Sequence, residues 1–166
     1  MFIRSLLAFL ILPCSVAGLI PLILTYVDPW RGHGFLLFGI PVMVLGLTVL
    51  LWCVRDFYVA GKGTLAPWDP PKHLVTVGLY RYSRNPMYVG VLTLIGGWAL
   101  LAGSPLLACY LFLFSVIFHL RVIRFEEPWL SKQFGAEWTA YCTITPRWLP
   151  GFRRISSPKT GNGFGL

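Results

Sequence analysis

Charge is scarce in this sequence: Asp, Glu, Lys and Arg together make up 12% of the residues, and only 6 are acidic. With 56% hydrophobic residues and a mean hydropathy of +0.69, that scarcity excludes a water-soluble globule. No C-x-x-C occurs among Cys14, Cys53, Cys109 and Cys142, so the cysteines read as apolar packing residues, neither zinc ligands nor a disulfide framework. His33 and His73 stand alone, and no His or Cys spacing supports a metal site. There is no internal repeat and no strand followed by G-x-G-x-x-G, which excludes a solenoid and a Rossmann domain. Four membrane helices of about 20 residues would use about 80 positions. In a chain of 166 the remainder suffices for loops and a tail, so any chemistry sits among the helices and their connections.

What is present is a series of apolar runs. The first goes from Ser5 to Val27; Ser15-Val16-Ala17 resembles a signal-peptidase site, but the run continues well beyond Ala17, which favours an uncleaved span. The second extends from about Gly34 to Val54 and carries Gly39, Pro41 and Gly46, tolerated in membrane helices. A polar connection from Arg55 to Arg84 follows. The third run, Pro86 to Gly103, and the fourth, Leu106 to about Ile123, are joined only by Gly103-Ser104-Pro105 and predict an antiparallel helical hairpin. Gly90, Gly96 and Gly97 offer close approach to a neighbouring helix. From Glu126 to Tyr141 the spacing of Leu130, Phe134, Trp138 and Tyr141 predicts one amphipathic helix lying along the membrane surface. Residues 1–150 therefore read as a single all-α integral-membrane domain of about four transmembrane helices plus that C-terminal helix, and residues 151–166 as a flexible tail.

The net charge of +8, from 14 basic and 6 acidic residues, is no nucleic-acid footprint, because the basic residues fall in the gaps between apolar runs. Only Arg31 lies between the first and second runs; Arg4, the five basic residues between the second and third, and all those from Arg121 onward share the other side. The positive-inside rule then places both termini in the cytoplasm, in a cytoplasmic membrane if the source is prokaryotic.

Two clusters fall at that cytoplasmic surface. In Tyr80-Arg81-Tyr82-Ser83-Arg84-Asn85-Pro86-Met87-Tyr88-Val89-Gly90, Pro86 suits the first helical position and makes Asn85 the N-cap. Free N–H groups and a positive helix end beside Arg84 suit a carboxylate; an equally open reading has Arg84 and Tyr88 anchoring the helix in the headgroups. The second cluster, Glu126-Glu127-Pro128-Trp129-Leu130, puts two acids at a membrane boundary, costly unless paired or exposed. Successive helical residues point about 100° apart, so the two do not serve one ligand atom; one could hold an ammonium or ribose hydroxyls while the other pairs with an arginine, or both could pair with Arg121 or Arg124. His119, seven residues before Glu126, falls on nearly the same face, either as a buried histidine bonded to a neighbouring helix or as a base.

In order and spacing, Gly-x-Tyr-Arg-Tyr-x-Arg-Asn-Pro-Met-Tyr-x-Gly at 78–90, then Glu126-Glu127-x-x-Leu130, Phe134-Gly135, Tyr141 and Pro146-Arg147-Trp148, resemble the isoprenylcysteine carboxyl methyltransferase and phospholipid methyltransferase superfamily over about residues 61–150. The resemblance implies an integral-membrane methyltransferase that uses S-adenosylmethionine, enclosed by the last spans and the C-terminal segment. It implies a cofactor pocket formed by Gly61, Gly63, Tyr80, Arg84, Asn85, Pro86, Tyr88, Gly90, Glu126 and Glu127. It also implies catalytic roles for Arg84, Asn85, Tyr88 and Glu127, to which the reading of the fourth run adds His119 as a candidate base. Where many relatives carry histidine this chain has Asn85, which accepts no proton at neutral pH, so no base mechanism attaches to that position. The partners implied are the bilayer and a lipid-like acceptor, with no nucleic acid and no metal.

A carboxylate acceptor is already ionised and needs no base, whereas an amine must lose a proton, with His119 or water as the candidate. On that reasoning, replacing His119 by alanine would spare carboxylate methylation and depress amine methylation. Two other classes compete. Membrane sterol reductases share a similar Arg-His-Pro-x-Tyr segment but bind NADPH on generally longer chains. A non-enzymatic four-span protein, such as a small transporter half, would usually place a polar group at mid-membrane, and the first three runs have none there.

Overall fold

The structure, a computed structural model, describes residues 14–61 and 73–148. Among these residues there is no strand. Helix α1, Ser15–Val27, opens with a π-helical turn over Ser15–Leu19. A π turn pulls carbonyls off the regular ladder, and here the oxygens of Val16 and Ala17 accept from Tyr110 Oη at 2.9 Å and Trp98 Nε1 at 3.1 Å, which ties α1 to the later helices.

Helix α2 spans Leu36–Gly61 and ends about two turns beyond Val54, where the apolar run stops, because Arg55 and Asp56 continue it past the apolar stretch. A 3-10 turn over Gly78–Arg81 leads to α3, Pro86–Ala102, and α4, Pro105–Arg121. The predicted hairpin is present. Gly103 ends α3 in the left-handed region at φ 56, and Ser104 caps α4 by accepting from Leu107 N at 3.1 Å. The Ser104 hydroxyl also donates to Asp28, whose carboxylate accepts from Leu106 N at 3.2 Å and Trp30 N at 2.9 Å. One buried acid thus locks the α1–α2 connection to the α3–α4 turn.

The most extensive helix pairing is α2 on α3. It is a small-residue seam: a Cβ on Gly46 would lie 2.5 Å from Leu94 N, and one on Gly90 would lie 3.0 Å from Leu50 N. Around it Leu50, Val91 and Ile95 form a buried core with Ala17 of α1. The outer faces are the reverse of a soluble protein's, with Leu37 80% exposed on α2 and Phe112 73% exposed on α4. Among the described residues two helical stretches, Leu36–Phe57 and Pro105–Phe134, are long and apolar enough to cross a membrane; Ser15–Val27 and Pro86–Ala102 are apolar but shorter. The first half of the first apolar run and the expected tail from 151 onward lie outside the described residues.

Beyond α4 the chain runs through a π turn, Val122–Glu126, into α5, Glu127–Phe134, and α6, Ala136–Ile144. The single amphipathic helix expected from Glu126 to Tyr141 is therefore broken. Gly135 adopts φ 50 and ψ −117, a conformation that residues with a Cβ rarely enter, and the chain turns there. As a result Trp138 and Tyr141 do not share a surface-lying face with Leu130 and Phe134. They are buried, and Tyr141 Oη donates to Tyr80 O at 2.6 Å, docking α6 on the 3-10 turn.

Candidate functional site

Pro86 does start α3 and Asn85 does occupy the N-cap position, but its side chain caps nothing. Its Nδ2 instead donates to the Arg147 carbonyl at 3.0 Å. Beside it Arg84 N donates to Pro146 O at 2.9 Å and Ser83 Oγ to Arg147 O at 3.3 Å. The corner before α3 is thus clasped by the segment after α6, and the amide has been drawn from the helix end to that segment.

The two acidic residues reach the same place. Glu127 lies between two guanidiniums, 3.0 Å from Arg84 Nη1 and held by Arg147 through Nε and Nη2, each at 2.8 Å. Glu126 accepts from Tyr88 Oη and from Arg121 Nε at 2.8 Å. The two carboxylates diverge to separate partners, as the helical turn between successive residues requires. Both pair with arginine, Glu126 with Arg121 and Glu127 with Arg84 and Arg147. Arg147 is half-buried on a carboxylate of its own chain, and that bond raises its pKa.

Arg84 is the hub. Its side chain is 12% exposed, its Cζ lies 5.6 Å from the centre of a Trp138 ring, and Nη1 donates to Cys142 Sγ at 2.8 Å. Burial pushes the Cys142 thiol above its ordinary pKa, with Arg84 opposing. Arg84 Nε is buried without a hydrogen-bond partner among the described residues. An unspent guanidinium N–H calls for an oxygen acceptor, and with two carboxylates and an aromatic wall nearby the donor set fits an amino-acid-bearing nucleoside.

Tyr88 packs its ring 4.5 Å from Phe118 and 6.5 Å from Trp148, centre to centre. Trp148 lies against His119, rings 5.9 Å apart and 29° from parallel, and its Nε1 donates to His119 Nδ1 at 3.1 Å. His119 is thus exposed and bonded to the C-terminal segment, where a partner on a neighbouring helix had been the expectation. His119 and Trp148 stand at one end of an apolar groove of about 900 Å³ between α3 and α4, whose walls include Val89, Leu92, Leu111 and Val116.

Not every expected residue joins this cluster. Tyr80 is buried in packing with Cys53 and Val75, and burial holds its phenol far above its ordinary pKa. Gly90 faces the α2 backbone. Gly61 is the last residue of α2, and Gly63 lies outside the described residues. Conversely, Trp138, Tyr141 and Trp148 complete the cluster without having been assigned site roles, and Arg121 joins it as the partner of Glu126 that the sequence allowed. Arg121 stands five residues before Glu126, a legible signal; the others are brought in by the turn at Gly135. Among the described residues no three His, Cys, Asp or Glu side chains gather as a metal site.

The phospholipid methyltransferase family matches residues 35–137, a stretch that contains both the Arg84 corner and the paired glutamates. The nickel-cobalt-cadmium resistance protein NccN of Alcaligenes xylosoxydans xylosoxydans is 29% identical over 133 residues, 80% of this chain. The match covers 58% of that relative's length. No solved structure matches the chain. With more than half of its residues covered by the family match, the chain belongs to the phospholipid methyltransferase family, a family of integral-membrane methyltransferases.

Proposed function

We propose that the protein transfers a methyl group from S-adenosylmethionine to a lipid-like acceptor at the membrane surface, on the side where the Arg84 corner lies. The observation that carries this reading is the meeting of Arg84 with Glu127, 3.0 Å apart, and of Tyr88 with Glu126, across some forty positions of sequence. Such a meeting provides, in one place, donors for a carboxylate and acceptors for an ammonium and ribose hydroxyls.

In this reading Arg84, with its buried unpartnered Nε and the start of α3 at Asn85 and Pro86, receives the amino-acid carboxylate of the cofactor. Glu126 and Glu127 receive the ammonium or the ribose hydroxyls, exchanging part of their bonds to Arg121 and Arg147 for the ligand. Tyr88, backed by Phe118, presents an aromatic face to positive charge. When bound, the cofactor supplies a methyl group on a sulfonium, whose displacement needs alignment and dryness more than acid or base help. The clasp of 145–148 on the corner excludes water, and the groove between α3 and α4 admits the apolar tail of the acceptor from the bilayer.

The test is incubation of the detergent-solubilised protein with methyl-labelled S-adenosylmethionine and a membrane lipid extract, followed by mass spectrometry. Label in a lipid fraction, absent with Arg84→Ala, supports the reading. Binding of NADPH with no response to S-adenosylhomocysteine would replace it with the reductase alternative.

A further inference from the structure

Trp148 donates its indole N–H to His119 Nδ1, and an indole nitrogen can only donate. Nδ1 is therefore the bare nitrogen of the neutral ring, and the proton sits on Nε2. From this we infer that His119 serves the acceptor as a fixed hydrogen-bond donor, its Nε2–H positioning an oxygen of an anionic headgroup, and not as a base. The inference rests on the methyl-transfer reading above and deepens it by naming the acceptor's chemistry.

The groove supports this assignment. Its other polar side chains are already spent: Thr93 Oγ1 donates to Val89 O at 2.7 Å, Ser115 Oγ to Leu111 O at 2.8 Å, and the Trp148 indole to His119 itself. Among the described residues lining the groove, His119 Nε2–H is the side-chain donor left over, at the end nearest Tyr88. The neighbouring carboxylates are already drawn to partners within the chain, Glu126 through Oε1 to Arg121 and Tyr88, and Glu127 to Arg84 and Arg147. Arg84, Arg121 and Arg147 against Glu126 and Glu127 leave one positive charge in excess beside the groove, which favours an anionic acceptor.

The chemistry separates the acceptors. A carboxylate oxygen attacks the methyl carbon, the C–O bond forms as the C–S bond breaks with its electron pair on sulfur, and no proton leaves. An ammonium acceptor must first give a proton to a base, and the single lone pair of a neutral His119 is already taken by the Trp148 indole. On this inference the expectation from sequence alone is reversed: His119→Ala should impair carboxylate methylation.

Two measurements test this. In the full chain labelled with ¹⁵N-histidine in detergent micelles, the His119 resonances, assigned by their loss in His119→Gln, should show the proton on Nε2. Trp148→Phe should release the ring to a tautomer mixture. A proton on Nδ1 in the unaltered protein would overturn the inference. Methyl transfer is then measured to a prenylcysteine carboxylate and to phosphatidylethanolamine vesicles, with S-adenosylhomocysteine binding as the check that each variant is folded. The expected result is carboxylate methylation, reduced about 10- to 100-fold in kcat/KM and chiefly through KM by His119→Ala, and largely restored by His119→Gln, whose amide N–H reaches the place of Nε2. Amine methylation abolished by His119→Ala, or carboxylate methylation indifferent to it, would contradict the donor role. If the unaltered protein bound no S-adenosylhomocysteine and methylated neither probe, the methyl-transfer reading itself would fall, while the tautomer would still be read by itself.

Discussion

Arg147 holds Glu127 with two parallel hydrogen bonds of 2.8 Å, from Nε to Oε1 and from Nη2 to Oε2. This fork joins the end of the described chain to the first turn of α5, and Arg84 on the same carboxylate extends it to the start of α3. Three separate parts of the sequence are therefore held by one acid.

Removing that acid leaves two guanidiniums facing each other. Glu127→Gln should destabilise the protein by about 2–3 kcal/mol, less than a fully buried pair because Arg147 is partly exposed. Arg147→Lys keeps the charge but not the fork, and should cost about 1 kcal/mol. Thermal unfolding in detergent reads both, and limited proteolysis after α6 should accelerate in the same order.

The α2–α3 seam makes a steric prediction. Gly46→Ala drives a methyl to 2.5 Å from Leu94 N, backbone that cannot yield, and should cost about 2–3 kcal/mol. Gly96→Ala meets only Leu111 Cδ2 at 3.7 Å, so it should be neutral or stabilising by up to about 1 kcal/mol. Equal effects in the melting temperatures of the two variants would contradict the seam.

Tyr141→Phe removes the 2.6 Å bond to Tyr80 O and leaves a buried carbonyl without it. A loss of about 1–2 kcal/mol is expected, with faster amide exchange across α6 as its local signature.

Much of this was legible in the sequence, and what was not had physical reasons. Pro86 at the first position of a helix, the Gly103-Ser104-Pro105 turn and the two glutamates at the end of α4 are local signals, and each appears where it was expected. The amphipathic period from Leu130 to Tyr141 misled because periodicity does not register one glycine at positive φ. Gly135 redirects Trp138 and Tyr141 from a surface stripe into the packing behind Arg84. The side chain of Asn85 was assigned to its own helix because N-cap chemistry is local. Its actual acceptor, Arg147 O, is 62 positions away and is known only once the chain has folded back.

At the opposite end of the bundle the acid-lock predicts a pH response. The hydrogen bond from Ser104 holds the Asp28 carboxyl below its ordinary value of 3.8, reinforced by the N–H groups of Trp30 and Leu106 and by Arg31, with burial opposing. Because the folded pKa is the lower, the stabilisation is fully present above 3.8 and is lost as pH falls through the folded value. Melting temperature should therefore drop below about pH 4 in the unaltered protein. Asp28→Asn should melt lower at neutral pH and lose that part of the acid response.

The account as a whole stands on the corner at Arg84 and the paired glutamates holding one molecule. Calorimetric titration with S-adenosylhomocysteine tests it most directly, on the unaltered protein and on Glu126→Gln/Glu127→Gln, with the folded state of each verified by its melting transition. Binding by the former, weakened at least about tenfold in a folded double variant, is the predicted result. Equal affinity in both would contradict the site.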